Sequence, residues 1–562
     1  MINFKNEFVG CLEKATNLKK EELVRYIELP PDPGLGSLSF QCFALAKKQG
    51  KTAQEVAKET LEKLSSELFE FSEKNGYINA RINPEILYRE CTTEILEKKD
   101  NYGKPAQDKE HYIIDTFNVN TFKTLHIGHL RMIVCGDAIH RMLDFCGRRS
   151  IPVYYGGDVG THVAKWYWYY KKYLTKSQQE VPEKDVAKWF GEIYLRAVAT
   201  AKEDMDSTAE INDLQRKMLS DKKIKEELRV LRDKSFEAYM AVKDELGVNL
   251  EDKIFESETE FRFLEIKDTL IKEHKELIRE SEDALIADLS GYGLGVLVLV
   301  KQNGSPLYAA KDIALVQLKM ERYPEAKNFL YVVGSEQEYY LRQMFKIFSI
   351  LYPDTSHRHI SLGMVNLDTG KMASRQGEML LYEDFRDALI AKVTETLKDN
   401  KLDTEKDTVS AIVFGTIKFE MLKIGFGKTF VFDMSTALDL QGDSAVYVQY
   451  SGVRAKSILR NIGVEYNITI EKLALAEEER RLLELMYRFP ELVKFATIEY
   501  RPNLIAGYCL ELARAFNRFY VNCPVISKQQ ELQVQRVLLV KAYLQCLTNA
   551  LYLLGINIPE RM

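Results

Sequence analysis

His111-Tyr-Ile-Ile-Asp-Thr-Phe117, then a loop from Asn118 to Leu125, then His126-Ile-Gly-His129 at the head of an apolar-periodic run, is the stretch on which the fold turns. The first segment reads as a buried strand. Leu130, Ile133, Val134, Ile139 and Leu143 recur at helical spacing, so the pattern predicts a helix from His126 to Cys146, closed by Gly147. Ile151-Pro-Val-Tyr-Tyr155 follows as a second strand. Strand, helix and strand in that order build a parallel sheet of the α/β class, and phosphate chemistry is expected at the carboxyl ends of the strands. His126 falls there.

Two imidazoles three residues apart share one side of a first helical turn, and the intervening Gly128 lets a nucleotide come close to the backbone. The helix N-terminus adds positive potential beneath phosphates. The pattern points to activation of a carboxylic acid by ATP. The plain alternative for these four residues is a helix cap or a satisfied surface pair.

Composition bounds the rest. The 562 residues, with 46% apolar and 29% charged side chains, suffice for about three or four domains. No apolar run reaches membrane-spanning length, and Met1-Ile-Asn-Phe-Lys5 has no secretory character, so a cytoplasmic protein without membrane contact is expected. Eight cysteines without a C-x-x-C pair read as buried reduced thiols, and no tightly bound metal is expected. A net charge of -5 confines any nucleic-acid surface to a local basic patch.

Pattern shifts divide the chain. Residues 1–101 read as a small α+β module: an amphipathic helix, the Pro-Gly-rich stretch Pro30 to Gly36, a helix over Ala53 to Phe71 and an extended piece at Tyr77 to Ile82. A nucleotide-binding domain follows over residues 110–383, with a charged helical insertion over about 165–256. It resumes with Ala284 to Ala287 and Gly295 to Val300, the latter joined by Asn303-Gly304 to Pro306-Leu-Tyr-Ala309 as a hairpin. Phe329 to Val333 and Ile360 to Val365 bracket a helix and complete the α/β alternation. Residues 384–449 read as a helical connecting region and 450–562 as an all-helical domain, with Phe432 and Gly442 to Tyr450 in non-helical connections.

A second lysine-bearing stretch, Asp368-Thr-Gly-Lys-Met-Ala-Ser-Arg-Gln-Gly377, is flanked by glycine. Lys371 and Arg375 on such a loop suit a triphosphate and the charge on departing pyrophosphate. The alternative is a solvated surface turn.

Together the two stretches resemble the His-Ile-Gly-His and Lys-Met-Ser-Lys-Ser pair of class I aminoacyl-tRNA synthetases, with their Rossmann-like catalytic domain. The surrounding text is most similar to the arginyl-tRNA synthetases, over nearly the whole chain. Asn120-x-x-Lys123, Gly157-Asp-x-Gly-Thr161, Tyr308-x-x-x-Asp312 and Gln337 carry that resemblance. So do Tyr447-Val-Gln-Tyr450 with Arg454, Ser457 to Arg460, Phe516 to Tyr520, Cys523-Pro-Val525 and Pro559-Glu-Arg-Met562.

The resemblance implies ligation of L-arginine to tRNA(Arg) through an arginyl-adenylate, with ATP and Mg2+ as a substrate complex and AMP and pyrophosphate released. His126, His129 and Lys123 are the implied phosphate donors, with Lys371 and Arg375, and Gly128 and Met372 complete the ATP site. For arginine, it implies Tyr308 and Asp312 at the guanidinium, Asp115 at the guanidinium or ammonium side, and Asn120 and Gln337 at the other end. On local sequence alone Asp312 reads first as an N-cap of a helix beginning at Ile313, a role that can coexist with guanidinium binding. For tRNA it implies Phe40 and Gln41 in an elbow-binding N-terminal domain, and Tyr450, Arg454, Arg460, Arg518 and Met562 in the anticodon-binding region. A monomer is expected.

Departures mark a divergent member. Ala373 and Ser374 replace the loop motif's serine and second lysine, and Lys123 stands where a lysine before the histidine motif would substitute. Val119 replaces proline, Val159 and His162 replace Trp and Gln, Phe43 replaces asparagine, and Tyr340-Leu341 replaces His-Phe. Two rival readings stay open: a paralogue ligating arginine to another acceptor, and a catalytically silent synthetase-derived RNA-binding protein.

Overall fold

The computed structural model describes residues 3–28, 30, 35–105, 109–204, 206–302, 304–367, 381–462, 473 and 475–562, without the side chains of 219 and 367. Two compact units are present. One comprises Met1–Lys104, Val448–Val493 and Tyr508–Ala550, the other Pro105–Tyr447, Lys494–Gly507 and Leu551–Met562.

The second unit is built on strand β1 (His111–Phe117), helix α1 (Ile127–Phe145) and strand β2 (Arg149–Gly156), as the opening stretch predicts. Strands β3 (Asp252–Phe255), β4 (Asn328–Gly334) and β5 (Ser356–Leu362) complete a parallel sheet of order β5-β4-β1-β2-β3. Every residue of β1 beyond His111 is buried, as a strand covered on both faces must be. Its α/β neighbour α1 is buried on nearly all sides, Arg131 and Cys135 included, and not only along the predicted face. Close packing of α1 on β1 requires Gly136, because a Cβ there would lie 1.6 Å from the Thr116 Oγ1.

The chain runs from β1 outward to β2 and β3, then returns on the other flank as β4 and β5. The boundary between β1 and β4 is therefore the switch point of the sheet, where such folds place their ligands.

Three expectations are corrected here. The region 165–256 is helical only as far as Leu246, through Thr161–Lys172, Val186–Glu203, Ser207–Ser220 and Lys222–Leu246. It then supplies the edge strand β3, whose four residues, two of them charged, carry no strand pattern. After α2 (Glu256–Glu273), Ile278–Ser281, Ala284–Asp288 and Val296–Val300 form a separate antiparallel sheet and do not join the parallel one. The hairpin beyond Val300 is a single bridge to Pro306, since α3 (Tyr308–Arg322) begins two residues later; Asn303 lies outside the described residues. Helix α4 (Glu338–Leu351) connects β4 to β5.

Beyond Leu381 the chain is mainly helical. Phe430–Phe432 is a short strand paired with Val365–Leu367. Tyr447 and Tyr450, expected in a connection, lie in helix Ala445–Ile462, because the Ser444 hydroxyl accepts the Tyr447 N–H at 3.1 Å and starts the helix there.

In the first unit an antiparallel sheet holds Ile27–Glu28, Leu38–Gln41, Tyr77–Ile82 and Phe69–Lys74, in that spatial order. The helix expected from Ala53 to Phe71 stops at Leu61, and Phe69–Lys74 is a strand of alternating burial. The C-terminal helices pack in the same unit: the Phe4 ring lies 5.6 Å from Tyr487, and the Tyr102 hydroxyl donates to the Met486 carbonyl. Phe516 stacks on Tyr543 with centroids 3.9 Å apart, and the Tyr543 hydroxyl meets the Ser451 hydroxyl at 2.6 Å.

Candidate active site

The loop after β1 is shaped by the helical insertion. Phe122 has a left-handed φ of 64°, costly for a bulky side chain by about 1–3 kcal/mol. It is held because its ring is buried 4.9 Å from Trp166 and 5.6 Å from Phe190, and its N–H donates to the Ser235 hydroxyl. The Tyr239 hydroxyl, on the last insertion helix, lies 2.9 Å from the Asn120 carbonyl and 2.7 Å from that of Lys123. The adjoining residue Lys123 is thereby turned into a cleft of about 1010 Å³, lined also by Asn120, Tyr194, Glu256, Tyr308 and Lys311. Its ammonium sits 5.4 Å from the Tyr194 ring centroid, and burial lowers its pKa while Glu256 opposes the shift.

His126 is the N-cap of α1, with extended backbone angles, and its Nδ1 accepts the Gly128 N–H at 3.2 Å. His129 Nδ1 faces the His126 N–H at 3.4 Å, so two imidazoles form a reciprocal capping box. Capping and phosphate chemistry are compatible uses of one pair. Both rings are kept neutral, first by burial; the Lys123 charge adds to this at His126, and His126 and then Lys123 at His129, which is pushed down to about 3. With Nδ1 accepting from backbone, the proton of each neutral ring resides on Nε2, which becomes a donor. Gly128 has a further role: a Cβ there would stand 3.0 Å from the His126 ring, so glycine leaves room for the ring to fold back.

Candidates for the amino-acid end gather around the switch point. Asp115 on β1 pairs in register with Tyr331 on β4 and is ion-paired with Lys319, whose side chain is fully buried. Asp312 is not an N-cap, because α3 begins four residues earlier at Tyr308. Its carboxylate accepts the Tyr340 hydroxyl at 2.6 Å, and burial raises its pKa to about 6. Among the described residues Asp312 has no ion-pair partner, whereas Asp115 has Lys319 and Glu256 has Lys311 at 2.9 Å. Asn120 Oδ1 accepts the Gly157 N–H at 3.0 Å; Tyr308 is 74% exposed at the cleft. Gln337 lies at the end of the turn after β4 and is exposed.

His162 and Val159, two of the departures, line the same cleft as Lys123. The His162 ring, pushed down to about 4 chiefly by burial, donates from Nε2 to the Gly157 carbonyl. Buried Val119 offers its carbonyl to the Tyr154 hydroxyl at 2.7 Å. Lys371, Met372, Ala373, Ser374 and Arg375 lie outside the described residues. Leu381, beyond them, is bridged to His126, and Tyr382 N–H donates to the Leu125 carbonyl.

Local sequence carried no signal for Lys319, Lys311 or Arg131, which read as ordinary helix positions. Arg131 is 1% exposed and donates to the carbonyls of Gly363 and Lys428 at 2.6 and 2.9 Å, joining α1 to the segments that lead into the paired strands Val365–Leu367 and Phe430–Phe432.

In the first unit, Arg454 donates to Asn517 Oδ1 and stacks at 4.5 and 5.3 Å over the Tyr450 and Tyr520 rings; Arg460 and Arg518 are exposed. Phe40 does not reach solvent: it is 1% exposed, packed near Tyr26, because it points inward from its strand while the following Gln41 is partly exposed. The exposed ring of this segment is Phe43, edge-on to Tyr77. In the other unit, Met562 is partly exposed at the end of the chain.

A parallel sheet with a helix-capping histidine pair at its switch point defines the catalytic domain of a class I aminoacyl-tRNA synthetase, and the family model "tRNA synthetases class I (R), catalytic domain" matches residues 91–434. The models "Arginyl tRNA synthetase N terminal domain" and "DALR anticodon binding domain" match residues 3–82 and 448–562. Arginine--tRNA ligases of Clostridioides difficile and Halothermothrix orenii are 31% and 30% identical, with both chains covered in full. The fold matches the Thermus thermophilus arginyl-tRNA synthetase structure with a TM-score of 0.81 at 24% identity, covering 99% of this chain and 100% of that one. The chain belongs to the arginyl-tRNA synthetases.

Proposed function

We infer that the protein ligates L-arginine to tRNA(Arg) with ATP, through an arginyl-adenylate. The observation that carries the reading is the Asp312 carboxylate, which has no ion-pair partner among the described residues although the nearby Asp115 and Glu256 are each neutralised by a lysine. An anionic receiver left unpaired beside two neutralised acids suits one guanidinium.

In the first step an oxygen of the arginine carboxylate attacks the α-phosphorus, and the bond to the bridging oxygen of pyrophosphate breaks. The Nε2–H groups of His126 and His129 donate to the phosphate oxygens, and Lys123 adds a positive charge in a cleft where charge is weakly screened. Lys371 and Arg375 serve the departing pyrophosphate, which leaves with the Mg2+ that ATP brings. Lys123 takes the place of the lysine that Ser374 lacks. In the second step a ribose hydroxyl of the terminal adenosine attacks the carbonyl, AMP departs, and the adenylate phosphate accepts the proton.

Tyr308 and Asp312 receive the guanidinium, while Asn120 and Gln337 hold the other end. Asp115, paired with Lys319, helps at the guanidinium or ammonium side. Residues 1–101 serve the tRNA elbow, with Gln41 and Phe43 at its surface and Phe40 in its core. Residues 110–383 are the catalytic domain and 384–449 its helical connection. Residues 450–562 bind the anticodon region, where the Tyr450, Arg454 and Tyr520 stack with Arg460 and Arg518 offers charge and aromatic faces to splayed bases. Met562, at the end of the chain, is a further tRNA contact. The protein works as a cytoplasmic monomer; among the described residues no helix is long and apolar enough to cross a membrane.

Transfer of labelled arginine from ATP-containing mixtures onto tRNA tests the reading. Base-labile label on the tRNA is expected, and its absence at any enzyme concentration contradicts it.

A further inference from the structure

Tyr340 is a departure that the family resemblance leaves unexplained, and the structure gives it a partner. Its hydroxyl donates to Asp312 Oδ2 at 2.6 Å across the interface between α4 and α3. The ring is partly buried against the core, and that burial with the neighbouring carboxylate pushes the phenol far above its usual range, so it remains a donor at any pH the protein meets. Asp312 itself is partly open, on the first turns of α3, one residue beyond Lys311 in the cleft wall.

The groups around Asp312 come from every neighbouring element. Tyr340 lies on α4, Lys319 on its own helix, Asp115 on β1, Glu256 at the start of α2, and Tyr155 and Tyr331 on β2 and β4. Lys319 is committed to Asp115, and Glu256 to Lys311. Tyr155 hydrogen bonds with Thr259, and Tyr331 with His357. The Tyr340 hydroxyl is thus the hydrogen-bond donor that holds Asp312, and it is neutral.

We propose that Tyr340 is a positioning residue for arginine selection: its hydroxyl fixes one oxygen of Asp312, leaving the other to receive the substrate guanidinium, and as a neutral donor it keeps the full negative charge for that cation. The proposal rests on the reading of Asp312 as the guanidinium receiver. A histidine at position 340 holds the same oxygen when neutral, but protonates in acid and then competes with the substrate for the carboxylate. Tyrosine removes that competitor. Asp312 then becomes the titrating group of the amino-acid site, and losing its donor moves its titration upward.

The test compares wild type, Tyr340→Phe and Tyr340→His in arginine-dependent aminoacylation from pH 5.5 to 8. Tyr340→Phe is expected to raise the KM for arginine about tenfold at neutral pH, as for loss of a hydrogen bond to a charged group, with kcat and the KM for ATP little changed. Its acidic limb in kcat/KM for arginine moves to higher pH. Tyr340→His is expected to restore much of the arginine KM at pH 8 and to lose it more steeply below pH 7. An arginine KM and acidic limb unchanged in Tyr340→Phe overturn the proposal, as does a uniform loss in kcat, both KM values and thermal stability, which marks a merely structural role. Absence of aminoacylation by wild type contradicts instead the reading on which the proposal rests.

Discussion

The rings of His126 and His129 stack with centroids 3.7 Å apart and 29° between their planes, and each turns its Nδ1 toward a backbone N–H of the same helical start. The two Nε2–H groups are left as neighbouring donors on one side of the α1 terminus. Replacing either histidine by alanine removes one of the proposed phosphate donors and half of the capping box. A fall of about 10²–10³ in the rate of adenylate formation is expected, with the arginine KM little changed, as measured by single-turnover kinetics.

Lys123→Ala removes a cation whose charge bears on both rings. Adenylation should fall far more than arginine binding. The same variant should let the pKa of His126 and His129 rise, since Lys123 is among the causes holding them down. Unchanged turnover together with unchanged histidine titration by NMR removes the role assigned to it.

Imidazoles withdrawn from solvent set an acid limit on stability. His129 and His357 are held at about 3 and His162 at about 4, with His126 also depressed, all chiefly by burial. The unfolded chain takes up these protons near 6.5, while the folded chain refuses them until its own lower pKa is passed. Stability is therefore fully present above about 6.5 and is lost as pH falls toward 3–4. The melting temperature should drop through that window, and His357→Phe should flatten the drop; an identical profile contradicts the assignment. His357 suits this check because it stacks among Phe329, Phe345 and Phe348 and does not line the Lys123 cleft.

The parts of this site legible in the sequence were those written in short, ordered runs. His111 to Phe117 and Ile151 to Tyr155 announced two parallel strands, and His126 to His129 the helix start between them. Lys319 was not legible, because its partner Asp115 is 204 residues away and nothing in an ordinary helix marks one lysine for burial. β3 was hidden by its shortness and charge, and Phe40 by its lying in an edge-proximal strand whose inward face only the sheet register reveals. Asp312 looked like a cap because Pro306 to Ala309 resembled the second arm of a hairpin; the helix in fact starts at Tyr308.

Lys319→Met leaves Asp115 charged and without its partner in a buried site. A loss of about 3–5 kcal/mol in folding stability is expected by denaturant titration. The double variant Asp115→Asn with Lys319→Met should recover most of that loss, because it removes both charges. Additive losses in the double variant contradict the pairing.

Activation of arginine at this site is read most directly by exchange of labelled pyrophosphate into ATP. It is run with each amino acid in turn, with and without tRNA. Exchange is expected with arginine alone among the amino acids, and only when tRNA is present. Exchange driven by another amino acid, or none with arginine in either condition, contradicts it.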